Sequence, residues 1–206
     1  NVEISGCHSY KPLDELVAVI TKFKTLGMNF IFHNYFPRSK EDFVLNLTSG
    51  NKSIRQKSKK LISESVELGK KTGVNLYCCH PGYLKDAVSD DKGMFNFSAG
   101  RASKKEDCYQ ILINDFMEFY RMLGLESKGK DFFIGFENLF PTEDGNNYSI
   151  FCTGEDASQI FDSDIVRSCN LGILLDLGHA AISSNILGFD IYDFIDEIIQ
   201  KYGDRV

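Results

Sequence analysis

The sequence predicts an α/β protein built on a parallel sheet, and three observations carry that reading. Short apolar runs alternate with longer helical patterns along the chain. The runs are continuously apolar rather than alternating, as in strands covered on both faces. Each histidine follows an apolar run directly or within a short loop, where active sites of parallel β/α folds are built.

Taken in order, the first strand is Val2-Glu3-Ile4-Ser5. A helix opens near Pro12, which suits the first helical position, and carries Leu13, Leu16, Val17, Ile20 and Phe23 on one face before stopping at Gly27. Asn29 to Phe32 is the second strand. A long loop from His33 to Gly50 leads into a basic helix over 52–72, whose Lys52, Arg55, Lys57, Lys59 and Lys60 read as a solvated outer face. Val74 to Cys79 is the third strand, with Cys78 and Cys79 as core residues. Ser103 and Glu106 have the spacing of a capping box, and Cys108, Leu112, Phe116, Phe119 and Leu123 share a face of the helix behind it. Phe132 to Phe136 is the fourth strand, followed by a helix over 156–168, and Leu171 to Leu175 is the fifth. The last helix presents Ile191, Phe194, Ile195, Ile198 and Ile199 and ends before Gly203. The layout is either an open doubly wound sheet or a (β/α)8 barrel. No GxGxxG or GxxxxGK[ST] follows a strand, which lowers the nucleotide-binding open sheet.

Composition narrows the function. The 206 residues are 43% hydrophobic and 25% charged, ordinary for a folded domain. A net charge of -6 gives the whole chain no attraction to nucleic acid or anionic lipid, and no run approaches the length of a membrane helix. The six cysteines lack any CxxC pair and read as reduced thiols of a cytoplasmic protein. Without a recognisable signal, the N-x-S/T matches at Asn46, Asn51, Asn96 and Asn147 read as chance.

His33, His80, Glu137, Asp176 and His179 all fall at or just beyond strand ends, and none of the histidines reads as helical. One such residue alone is usually structural, by hydrogen bonding or capping. Five of them together point to a metal or catalytic site. Imidazoles mixed with carboxylates suit Zn2+, Mn2+ or Fe2+. Gly178 allows a sharp turn, so that Asp176 and His179 can face one cavity. His8 and Glu3 read as structural.

At these residues the chain resembles the xylose isomerase-like TIM barrel superfamily, which holds sugar-phosphate isomerases/epimerases and endonuclease IV-type apurinic endonucleases (AP endonuclease family 2). The stretch from His33 through Asn46-Leu47 and Lys57-Ser58 to His80-Pro81-Gly82 carries the likeness, with Glu137-Asn138 and Asp176-x-x-His179. The resemblance implies that Glu137 and Asp176 ligate a divalent metal, Zn or Mn. It implies further ligands at His33 and His80 where an endonuclease IV-like cluster forms, and metal or substrate binding at His179. Glu137 and His179 are the expected catalytic residues. Leu139-Phe140 after Glu-Asn, Tyr83-Leu84 after His-Pro-Gly and Ala180-Ala181 after Asp-x-x-His depart from the nuclease pattern. The expectation is therefore a metal-dependent sugar (phosphate) isomerase/epimerase, with the apurinic endonuclease and an inert relative as alternatives. Nucleic acid and membrane are not expected partners, whereas a homo-oligomer is compatible with open sheet edges. The five units match barrel strands two to six, so residues 1–206 are expected to form one β/α-barrel domain incomplete at both ends. Asn1, opening inside a strand, fits that expectation.

Overall fold

A computed structural model describes residues 2–6, 8–90, 95–97, 99–125, 132–142 and 146–206; Asn1 and Cys7 lie outside the described residues. In chain order the elements begin with β1 (Val2–Ile4), α1 (Leu13–Thr25), β2 (Phe30–His33), α2 (Lys52–Thr72) and β3 (Leu76–Cys79). A small ribbon, β4 (Val88–Ser89) and β5 (Phe95–Asn96), precedes α3 (Lys105–Ile111) and α4 (Met117–Met122), which are joined by a π-helical segment at Leu112–Phe116. There follow β6 (Phe133–Glu137), α5 (Gly154–Phe161), α6 (Asp164–Arg167), β7 (Leu171–Leu174), α7 (Leu177–Leu187) and α8 (Ile191–Tyr202).

The five long strands form one parallel sheet in the order β1-β2-β3-β6-β7, so sequence neighbours in the strand–helix repeat are also neighbours in space. With helices between successive strands, this is a partial β/α barrel. Phe32, Tyr77, Ile134 and Phe136 are fully buried from the sheet and meet Leu61, Ile62, Leu112, Phe116 and Ile160 from the helices. The register does the positioning. His33 pairs with Cys78, Cys79 with Phe136, and Glu137 with Leu174, so the carboxyl ends of β2, β3, β6 and β7 finish nearly level.

Two loops are locked against that rim. The buried Asn46 side chain accepts hydrogen bonds from Thr48 N–H (3.1 Å), the Thr48 hydroxyl (2.9 Å) and Tyr83 N–H (3.0 Å), and donates to Asp86 (2.9 Å). An Asn so committed is closed to the glycan its sequence motif would suggest. Gly82, at φ +145, passes so near this turn that a Cβ would lie 2.7 Å from Asn46 Oδ1. That close approach explains the glycine of His80-Pro81-Gly82.

Several expectations change. Ser103 and Glu106 do not form a capping box: the Ser103 amide is spent on the Leu84 carbonyl at 2.6 Å, and α3 starts behind Lys104 without a side-chain cap. The reciprocal box belongs instead to Thr153 and Asp156 at α5. The helix expected over 156–168 is two, α5 and α6. The segment after Asp176 is helical, so His179 stands in the first turn of α7 rather than in a loop. Arg55 and Lys59 are not simply solvated; both pair with Asp115, at 3.1 and 2.7 Å. The edge at β7 is partly covered as well, because Ile173 N–H donates to Arg205 O (2.7 Å) and the Arg205 guanidinium to Leu171 O (2.9 Å).

Candidate metal centre

Glu137 ends β6 with only 1% of its side chain exposed, and the site is arranged around it. His33, the last residue of β2, brings Nε2 to 2.7 Å from Glu137 Oε2. His80, one residue beyond β3, brings Nε2 to 3.1 Å from the same oxygen. His179 reaches the other oxygen, Oε1, with Nδ1 at 3.3 Å. Asp176 caps α7, its Oδ1 accepting the His179 N–H at 2.8 Å. The rim thus brings together His33, His80, Glu137, Asp176 and His179. They form two donor groups, His33/His80/Glu137 and Glu137/Asp176/His179, each with its ligand atoms within 4.8 Å of one another.

Residues that the sequence did not assign to the site hold these side chains in place. Glu3 accepts from His33 Nδ1 at 2.7 Å, and the Tyr83 hydroxyl lies 2.9 Å from His80 Nδ1, so both rings are anchored at Nδ1 and present Nε2 to Glu137. His179 Nδ1 donates to the Asn138 carbonyl at 2.8 Å. Asn138 clamps the turn into α7 reciprocally: its Oδ1 accepts Asp176 N–H at 2.7 Å and its Nδ2 donates to Asp176 O at 2.9 Å. Asn34, at φ 44, puts its carboxamide between the two upstream histidines. Two signals could have found these residues: a charge at Glu3 within an apolar strand, and Asn following directly on both His33 and Glu137.

The electrostatics follow from the contacts. Burial alone would raise the Glu137 carboxyl, but hydrogen bonds from His33 and His80 and their positive charge hold it well below the ordinary carboxylate range. Burial disfavours protonated His33, yet its bonds to Glu137 and Glu3 outweigh this and raise its pKa. A carboxylate among imidazoles is a donor set that a divalent cation can use. Aromatic rings flank the donors. Phe140 meets the His179 ring edge-on at 4.8 Å, and Tyr83, beside His80, continues through Phe97 (4.9 Å) to Tyr148 (6.0 Å), over which Lys85 Nζ sits at 4.9 Å.

Comparison with known proteins agrees with the fold. A structure of a D-tagatose 3-epimerase-like protein superposes with a TM-score of 0.61 at 18% identity, covering 96% of this chain and 61% of that one. Endonuclease IV from Thermus thermophilus superposes with a TM-score of 0.56 at 15% identity, covering 99% and 72%. The probable endonuclease 4 of Aquifex aeolicus is 37% identical over 54 residues, which are 26% of this chain and 19% of that protein. The chain therefore spans about three fifths of the epimerase structure it matches. The xylose isomerase-like TIM barrel family matches residues 5–206, with the five-stranded parallel sheet and level strand ends its fold requires, and the chain belongs to that family.

Proposed function

We propose that this chain forms the metal-binding part of a divalent-metal-dependent sugar (phosphate) isomerase/epimerase. The observation that carries the reading is the buried, ionised Glu137 at the junction of the donors, with the aromatic rings of Phe140 and Tyr83 next to them. Carboxylate and imidazole donors position a cation, and apolar rings complement the C–H face of a sugar rather than a charged backbone. Glu137, Asp176 and His179 would hold the ion. When bound, the cation polarises a hydroxy-carbonyl pair and makes the neighbouring C–H more acidic.

The chain's own residues do the rest. Glu137 is the group proposed to take and return the proton beside the carbonyl, its Oε1 being the oxygen nearest His179. His179, its Nδ1 fixed on Asn138 O, is proposed to contact ion or substrate through Nε2. The Lys85 ammonium on Tyr148 supplies a positive charge at the far end of the aromatic stack, suited to a phosphate.

A second reading rests on one specific feature: Glu137 is shared by both donor groups. A carboxylate between two ions is what two-metal phosphodiester cleavage uses. The two readings separate in one assay series on the protein carrying this chain. Ketose phosphates in D2O should gain deuterium next to the carbonyl, and Glu137→Gln should reduce exchange at least 100-fold. Incision of an abasic duplex that is lost in Glu137→Gln, with no deuterium exchange, would put the nuclease reading in its place.

A further inference from the structure

The two donor groups differ at one atom. In the His33/His80/Glu137 group, Asn34 Nδ2 lies 2.8 Å from His33 Nε2, 3.1 Å from His80 Nε2 and 3.5 Å from Glu137 Oε2. The two histidine nitrogens are themselves 2.7 and 3.1 Å from that oxygen. Donors about 2.0–2.1 Å from a tetrahedral ion stand roughly 3.3 Å apart, so the amide nitrogen occupies the fourth corner of a set sized for one. It is the wrong kind of atom for that corner, because a carboxamide NH2 donates protons and has no lone pair to give a cation.

Nor can Asn34 readily turn away. Its Oδ1 accepts the His80 N–H at 2.9 Å, which fixes which end of the amide faces the histidines. Its backbone N–H donates to Cys78 O at 2.8 Å, and its carbonyl accepts from the Tyr77 hydroxyl at 2.6 Å. The residue is 6% exposed and sits in the left-handed region, which Asn adopts more readily than most side chains. We propose that Asn34 selects between the two halves: its amide closes the His33/His80/Glu137 half to a cation and directs a single ion to Glu137/Asp176/His179. This rests on the metal reading above. It assigns His33 and His80 to hydrogen bonding toward Glu137 and the substrate instead of ligation, and so favours one-ion chemistry at a site with two donor groups.

The test replaces the donor by an acceptor of the same shape. Asn34→Asp keeps the left-handed backbone and the bond to His80 N–H but puts a carboxylate oxygen at the fourth corner. Zn2+ is titrated into metal-free protein, with stoichiometry from a competing chromophoric chelator and histidine ring signals from 1H–15N NMR. In the parent protein one Zn2+ should bind and shift the His179 signals, leaving those of His33 and His80 in place. Asn34→Asp should bind one more ion, at least about tenfold tighter than any second ion in the parent, with His33 and His80 now shifting. Asn34→Gly, which removes the amide at a backbone position glycine tolerates, should gain a weaker second ion and guards against misfolding of the Asp variant. Shifts of His33 and His80 by the parent's first ion, or no added ion in either variant, would overturn the proposal. If the parent binds no ion at His179 but Asn34→Asp gains one at His33 and His80, the metal reading of Glu137/Asp176/His179 fails while the role of Asn34 stands.

Discussion

A carboxylate that is nearly inaccessible and still ionised needs compensation, and Glu137 receives it from the His33 and His80 imidazoles and the Asn34 carboxamide, which converge from two strand ends. The same burial silences the nearby thiols. Cys78, 3% exposed and next to the Glu137 charge, is pushed up to about 12, mainly by desolvation, and Cys152, 1% exposed, likewise to about 12. At pH 8 such thiols are ionised to only about one part in 10⁴, against roughly a quarter for an ordinary cysteine. Iodoacetamide at pH 8 should therefore leave Cys78 and Cys152 unlabelled in the folded protein and label both in urea, as peptide mass spectrometry would read. Raising the pH to 9 without unfolding should bring the thiolate only to about one part in 10³, so labelling stays far slower than in urea. Rapid labelling of either residue under native conditions would mean that β3 or the loop before α5 opens.

At the scale of elements, helices with one apolar stripe were legible and those without one were not. Leu16 and Ile20 of α1, and Phe194 and Ile198 of α8, point inward at helical spacing. In α7 the inward positions are Ala180 and Ser183, while Leu177, Ile182 and Ile186 are exposed, so the pattern has no apolar face to read and Ser183-Ser184-Asn185 looks like a loop. The site residues were legible as types at strand ends. What the sequence could not show was which partners orient them, because Glu3, Asn34 and Tyr83 reach the histidines only after parallel pairing sets the register. Packing between elements gives its own prediction at Gly69 of α2. A Cβ there would run into the Phe132 ring and stand 2.6 Å from Val74 O, where α2 crosses the start of β6. Gly69→Ala should cost about 1–3 kcal/mol in urea unfolding from overpacking. Gly50→Ala, where a Cβ meets nothing within 4 Å, should stay within about 0.5 kcal/mol. Equal stability of the two variants would show that Phe132 can move aside.

Across the whole molecule, five parallel strands curve through part of a barrel, and the apolar surface they leave is uneven. The β7 edge is engaged by Arg205, but among the described residues β1 pairs with β2 only. On α7, Leu177 is 57% exposed, Ile182 42%, Ile186 59% and Leu187 39%, which puts four large apolar side chains on one short helix. Ile182 and Ile186, one turn apart, form an exposed apolar pair that favours an interface. An unpaired parallel edge adds backbone donors and acceptors to the same tendency. The 206-residue chain by itself is therefore expected to self-associate, with a mass that rises with concentration in sedimentation equilibrium. Ile182→Asp combined with Ile186→Asp should weaken that association at least tenfold, since each buried isoleucine contributes on the order of 1.5–3 kcal/mol to such a contact. A Lys at Glu3 would be a poor substitute test, because Glu3 also holds His33. A mass that stays monomeric at every concentration would remove the homo-oligomer reading. Association unchanged in the α7 variant would move the contact to the β1 edge.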